Sequence, residues 1–317
     1  MPVPESVRFR DTPLLIDRTF TVALRGPSGP ASPRVYRAAL RLLERLGRQT
    51  GIPIPIEISL GSDDATLLIE HFESVPGVQR VIEDESYTLE VDAVGAALRA
   101  PTPYGVLRGI ETFLQLVEVA VPATAVAAVD RPSTISGLEP EPEDFIVPGV
   151  EIRDVPRFPW RGLLIDPGRH FLSINVMKRN LDAMAAVKLN VLHWHLSEDQ
   201  GFRVESRIFP KLHELGSGGF YYTQDEIQDL VAYGRDRGIR VMPEFDMPGH
   251  ATSWFVGYPE LASAPGPYEI IEAWGIQDPS MDPTRDETYE FLEAFIAEMV
   301  ALFPDNYFHI GGDEVNG

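Results

Sequence analysis

From about residue 156 onward the chain alternates between two hydrophobic rhythms. Short apolar runs at Gly162 to Ile165, Asn190 to Leu196, Ile239 to Phe245 and Tyr307 to Ile310 have the length and residue bias of buried strands. Between them, apolar positions recur at helical spacing in Ile174 to Val187, Gln224 to Arg237 and Arg285 to Phe303. Two of these helices are predicted to open with a capping box, Thr223 with Glu226 and Thr284 with Glu287. The other follows Ser173, a favourable N-cap. Strand and helix in alternation imply parallel strands joined by right-handed crossovers.

The earlier part, residues 1–154, has a different rhythm. Arg34 to Gly47 reads as a helix closed by Gly47, with Val35, Ala39, Leu42 and Leu46 on one face. Ile54, Ile56 and Ile58 alternate as a strand. Tyr87, Leu89 and Val91 alternate again, and Ala96, Leu98 and Ala100 follow the turn Asp92 to Gly95, which predicts a hairpin. Tyr104 to Val119 returns to helical spacing, and Ser133 to Val150, rich in Pro, Glu and Gly, reads as a linker. The pattern predicts a smaller α+β domain over 1–154 and an α/β domain over 155–317.

The second domain's loops are asymmetric. Returns from helix to strand are short, whereas strand-to-helix loops are long, and the loop after Phe245 runs about forty residues. Long loops inside a compact domain are usually functional. In a (β/α) barrel the site lies at the C-terminal strand ends, where those loops begin. A doubly wound open sheet places ligands there too. Each strand exit carries polar residues: Asp166 to Phe171, Ser197 to Arg203, Asp246 to His250, and Gly311 to Val315. Charged clusters on one rim of a parallel sheet point to a shared site.

Asp313 and Glu314 are adjacent acids in the last cluster. In glycoside hydrolysis, paired carboxylates across a scissile bond stand roughly 5 Å or more apart. Neighbouring Cα atoms are only about 3.8 Å apart, and the two side chains approach from one side. Such a pair suits a divided task, in which Glu314 protonates the leaving oxygen and Asp313 holds a nucleophile belonging to the substrate, a 2-acetamido group. A charged turn is the bland alternative for the dipeptide alone. His193 and His195 share a strand face by period two, and with His250 and Asp313 they could bind a metal in a barrel hydrolase. Two structural histidines in the barrel wall are the simpler reading. Arg169 offers a planar fork for sugar hydroxyls or a salt-bridge partner.

Composition narrows the partners. The 317 residues carry a formal net charge of -21, so nucleic acid and anionic membranes are disfavoured partners. The absence of cysteine excludes disulfides and thiolate chemistry. Met1 to Arg25 shows no basic segment followed by an apolar one, so no signal peptide is expected; residence is cytoplasmic by default, with secretion left open. Oligomeric state is not legible.

Taken together, Trp160 to Gly162, Asp166 to Phe171, Lys188 to Arg203, Tyr233 to His250 and His309 to Val315 resemble glycoside hydrolase family 20, the β-N-acetylhexosaminidases. The resemblance covers roughly Pro156 to Gly317, and Tyr104 to Leu116 is similar to the domain preceding this family's barrel. It implies a (β/α)8 TIM-type barrel and exo-hydrolysis of terminal non-reducing β-linked GlcNAc or GalNAc, from glycans or chito-oligosaccharides, without metal or organic cofactor. It implies Glu314 as acid/base, Asp313 as the acetamido-orienting residue, Arg169 on the terminal sugar's hydroxyls, and Asp199 and His250 as a polar relay. Glu198-Asp199-Gln200-Gly201-Phe202 departs mildly from the family's Asp-Asp-Gln-Gly-Trp. Only the first four βα units are readable. The chain is therefore expected to lack the later strands that complete the sugar pocket and to be inactive by itself, as a remnant or sugar-binding fragment.

Overall fold

The computed structural model describes residues 2–27, 29, 31–61, 64–75, 77–120 and 144–315. Its contacts divide into two units, Met1–Val75 with Ile82–Pro159, and Pro76–Val81 with Trp160–Gly317. The first unit comprises, in chain order, β1 (Ser6–Phe9), β2 (Leu14–Ile16), β3 (Val22–Arg25), α1 (Pro33–Thr50), β4 (Ile58–Leu60), β5 (Leu67–His71), β6 (Tyr87–Val91), β7 (Ala96–Ala100), α2 (Pro103–Leu116), β8 (Glu118–Val119), β9 (Phe145–Val147) and β10 (Val150–Asp154).

A mixed sheet runs β1-β10-β6-β7-β5-β3-β4, and β2-β9-β8 form a smaller one. The β6–β7 hairpin pairs Leu89 with Leu98, as the alternation predicts. Helix α2 lies close against it because two of its residues lack side chains. A Cβ on Gly105 would fall 2.1 Å from the Ser86 carbonyl oxygen, and one on Gly109 would fall 2.2 Å from Leu98. Beside this contact, buried Arg108 is held by Glu85 through two bonds of 3.0 Å.

The second unit adds β11 (Gly162–Ile165), α3 (Ile174–Ala186), β12 (Val191–His195), β13 (Ser197–Glu198), β14 (Gly201–Phe202), α4 (Lys211–Gly216), α5 (Gln224–Asp236), β15 (Arg240–Glu244), α6 (Thr252–Gly257) and α7 (Asp286–Leu302). Strands β11, β12 and β15 are parallel neighbours, in the register Leu164–His193–Met242. The unit is thus an α/β fold of alternating strand and helix. Its core gathers Leu181, Trp194, Leu230, Phe245, Trp254 and Phe295. The capping box of α5 forms, with Thr223 accepting from Glu226 N–H and Glu226 accepting from Thr223 N–H at 2.9 Å.

Several local expectations are corrected. Tyr307 to Ile310 is not a strand: it makes one parallel bridge, His309 to Glu244, before Gly311 and Gly312 turn the backbone through positive φ. Thr284 does not cap α7, whose N-cap is Arg285; Thr284 instead donates twice to the Asp282 carboxylate. Ser173 stands at the N-cap of α3 without a side-chain capping bond. Helix α1 runs through Gly47 and ends at Gly51, which takes the left-handed conformation at φ 71°. Of the Ile54 to Ile58 alternation only Ile58 is in a strand, because Pro53 and Pro55 have no N–H for a ladder. The predicted linker is partly outside the described residues, and its described end carries β9 and the start of β10.

Candidate active site

All four polar clusters lie in the second unit, three of them at strand exits and the last after the bridged His309 segment. The last is shaped by two glycines at φ 66° and 102°, Gly311 and Gly312. Gly312 N–H donates to Asp246 Oδ1 at 2.9 Å, which ties this turn to the exit of β15. Asp313 and Glu314 follow, both exposed, and Glu314 itself takes a left-handed φ of 51°. Among the described residues Asp313 makes no ion pair or side-chain hydrogen bond, but its charge acts on Asp246. Burial, with the Asp313 charge adding to it, pushes the Asp246 carboxyl up to about 6 against the Gly312 N–H and the charges of His195 and His250.

His250 faces Glu314. Its Nε2 lies 3.3 Å from Glu314 Oε2, and the imidazole is buried on a backbone at φ 49°. Its Nδ1 lies 3.1 Å from Glu198 Oε2 and 3.5 Å from Asp199 Oδ2. The nearer carboxylate is therefore Glu198. Asp199 is committed elsewhere, accepting from Thr252 N–H at 3.0 Å and from the Thr252 hydroxyl at 2.6 Å. Arg169 donates to Asp166 Oδ2 at 2.6 Å, and its other terminal nitrogen pairs with Glu198.

Glu198 is thus a fully buried hub between Arg169, His250 and His195. Burial alone would raise its carboxyl. Hydrogen bonds from His195 and from Asp199 N–H, with the charges of His250 and Arg169, outweigh that and hold it below its ordinary range.

A second buried carboxylate organises the sheet beneath. Glu244 Oε2 lies 2.5 Å from His193 Nε2 and 2.7 Å from His195 Nδ1, and its Oε1 lies 3.0 Å from His309 Nδ1. Burial opposes its ionisation, but the His193 and His195 contacts hold its carboxyl well below the usual range. Burial likewise works against charge on His195, yet hydrogen bonds to Glu198 and Glu244 outweigh it and raise the imidazole to about 10. Sequence reasoning singled out neither Glu244 nor Glu198 as a site residue. The available signal was a carboxylate at the end of a strand for Glu244 and one beside Asp199 in the second polar cluster for Glu198.

Arg203 supports the loops. Its buried guanidinium donates to five carbonyls, those of Pro167, Gly168, Gln200, Ser217 and Phe220, at 2.7–3.2 Å. That uses all five of its N–H donors.

Among the described residues, three groups could each offer metal donors: His193, Glu244 and His309; His195, Glu198 and Asp246; and Glu198, Asp199 and His250. The residues considered together from the sequence do not fall in one donor set. His193 belongs to the first set, His195 to the second and His250 to the third, and Asp313 is in none.

Residues 158–317 match the model of the glycosyl hydrolase family 20 catalytic domain, and residues 1–116 match a beta-acetyl hexosaminidase-like domain. The chain belongs to glycosyl hydrolase family 20. It is 32% identical to the beta-hexosaminidase of Porphyromonas gingivalis, across 99% of this chain and 38% of that protein. It is 40% identical to beta-hexosaminidase subunit A2 of Dictyostelium discoideum, across 83% of this chain and 42% of that one. Among solved structures, Flavobacterium johnsoniae chitobiase superimposes with a TM-score of 0.86 at 38% identity, over 99% of this chain and 44% of that one. The Streptomyces plicatus N-acetyl-β-hexosaminidase complexed with thio-NAglucal gives 0.79 at 30%, over 99% and 58%. The chain spans about two fifths of the length of these two beta-hexosaminidases.

Proposed function

We propose that this chain carries the acid/base half-site of an exo-acting, retaining β-N-acetylhexosaminidase. The substrate class is a glycan or chito-oligosaccharide ending in β-linked GlcNAc or GalNAc. In this reading the substrate's own acetamido oxygen attacks the anomeric carbon. Glu314 protonates the departing oxygen and later takes a proton from water. Asp313 accepts the acetamido N–H and offsets charge on the oxazolinium ring. Arg169 binds hydroxyls of the terminal sugar. His250, backed by Glu198 and Asp199, holds Glu314. We read the three parallel strands and the bridged His309 segment as the opening units of an eight-fold barrel.

The observation that carries the reading is the contact of His250 Nε2 with Glu314 Oε2 at 3.3 Å, with Nδ1 of the same ring on a buried carboxylate. This arrangement orients an acid/base group and couples it to a proton reservoir. The test uses the protein that contains this chain and GlcNAc glycosides of differing leaving groups. Glu314→Gln should lower kcat by roughly 10³-fold for a poor leaving group, within the usual range for general acid catalysis, and far less for an activated aryl group. Asp313→Asn should lower kcat similarly for both, because it acts on the nucleophile. Equal losses from both variants with every leaving group would refute these roles.

A further inference from the structure

Gln79 is 4% exposed, and among the described residues neither its Oε1 nor its Nε2 has a hydrogen-bond partner. Glutamine is mostly a surface residue, and a buried amide unpaired at both ends is uncommon, because each atom gives up hydration without return. Gln79 lines a cavity of about 80 Å³ in the second unit. Arg240 lines the same cavity. Its Nε and Nη2 donate to the two Asp305 oxygens at 2.8 and 2.6 Å. The rings of Trp160 and Tyr307 flank its guanidinium carbon at 4.9 and 5.2 Å. Nη1 is buried as well, and among the described residues it has no hydrogen-bond partner. Val231, Ile239, Val241 and Pro304 give the cavity an apolar wall.

Arg240 opens β15, whereas Glu244 closes it, roughly 13 Å further along the strand. The cavity therefore lies at the opposite end of the parallel sheet from the carboxylates around His250. Its unpaired atoms are two donors, Gln79 Nε2 and Arg240 Nη1, and one acceptor, Gln79 Oε1. A secondary amide matches that set: its N–H serves the acceptor, and the two lone pairs of its carbonyl serve the donors. A carboxylate or a tertiary amide brings no N–H and would leave Gln79 Oε1 unpaired. A hydroxyl would have to gather all three partners around one oxygen. Since a cavity of about 150 Å³ holds benzene, about 80 Å³ suits a group of about four or five non-hydrogen atoms. An acetamido group has that size, and its methyl would lie on the apolar wall. We propose that this cavity is a second binding site, remote from the paired acids, that takes the N-acyl group of a small secondary amide. The acetamido group of a free N-acetylhexosamine is one source of that chemistry.

The test follows the methyl resonances of Val231, Ile239 and Val241 in the protein containing this chain. N-methylacetamide should shift them saturably, with Kd on the order of 1–10 mM, as befits so small a ligand. Acetate, N,N-dimethylacetamide and 2-propanol should each bind at least tenfold more weakly. Gln79→Met, close in length but without donor or acceptor, should weaken N-methylacetamide at least tenfold. GlcNAc shifting the same methyls, and failing to do so in Gln79→Met, would identify the sugar as the source. N-methylacetamide binding without GlcNAc would keep the site and assign it to a smaller acylated amine. No saturable shift with N-methylacetamide would mean that the cavity holds water only, and it overturns the proposal. Equal binding of N,N-dimethylacetamide, or undiminished binding in Gln79→Met, overturns it too, since the unpaired atoms would then select nothing. Should Gln79→Met not fold, the probe series on the wild type decides by itself.

Discussion

Glu314 and His250 both adopt left-handed backbone, at φ 51° and 49°, which costs a residue with a side chain about 1 kcal/mol or more. The strain is held in place by neighbours with little freedom. Gly311 lies so close to Asp246 that an added Cβ would fall 1.8 Å from Asp246 Oδ1, in a backbone at φ 66°. Asp246 also receives Gly312 N–H, so one carboxylate defines where the Asp313–Glu314 turn leaves the sheet. Gly311→Ala should therefore push the turn away and open the His250–Glu314 contact. A misplacement of about 1 Å can cost on the order of a hundredfold in rate, and we expect a kcat loss of that size with unchanged circular dichroism. Gly312→Ala meets no atom within 4 Å and adds backbone strain alone, so its loss should be smaller. Wild-type kcat in Gly311→Ala would show that Asp246 does not position the acids.

The short β13–β14 hairpin concentrates more of the site than its length suggests, since Glu198, Asp199 and Gln200 sit on it and Arg203 follows it. Gly201 makes it possible: a Cβ there would lie 2.1 Å from the Arg203 guanidinium carbon. That guanidinium has no room to yield without leaving buried carbonyls unpaired, each worth about 1–3 kcal/mol. Gly201→Ala should thus destabilise the second unit by roughly 3 kcal/mol or more and weaken the Arg169–Glu198 pair, read as a fall in denaturation midpoint together with lost activity. An unchanged midpoint would mean that Arg203 relocates freely. At this scale the helices were largely legible, because apolar spacing and caps are local properties; α3 and α5 fall within a residue of their expected bounds. Failures arose where a neighbour or the backbone chemistry overrode the pattern, as at Tyr307 to Ile310, where paired glycines cut short an apolar run, and at Thr284, which Asp282 claims. Asp313, Glu314, Arg169, Asp199 and His250 were singled out from spacing and resemblance, and the structure brings His250 to Glu314 and to Asp199. Glu198 as the closer partner of His250 was not, because adjacent acids on a tight hairpin are distinguished only by which one the fold turns inward.

At the scale of the whole molecule, burial of charge makes stability a function of pH in a way that surface charge does not. Glu244 contributes stability above about pH 4.5 and loses it as pH falls, since its folded-state affinity for a proton is depressed. Asp246 works in the opposite sense. Its carboxyl, pushed up to about 6 by burial, binds a proton more tightly in the folded state, so its ionisation removes stability as pH climbs from about 4 to 6. Above pH 7 both are silent, and burial pushes the phenols of Tyr87 and Tyr222 well above their ordinary range. The interval from pH 7 to 10 therefore isolates His195, whose imidazole is raised to about 10 by Glu198 and Glu244. Its contribution is complete below about pH 6.5 and is lost as pH rises through about 10. The melting temperature of the second unit should fall steadily across that interval in the wild type. His195→Gln leaves Glu244 and Glu198 buried beside one fewer cation, at a cost of roughly 3–5 kcal/mol, or about 10 °C near pH 7. Its decline toward pH 10 should be much flatter, because the titrating group is gone. Parallel slopes for the two proteins would mean that His195 is neutral in the fold, and that the strand exits are held together by hydrogen bonds without a buried positive charge.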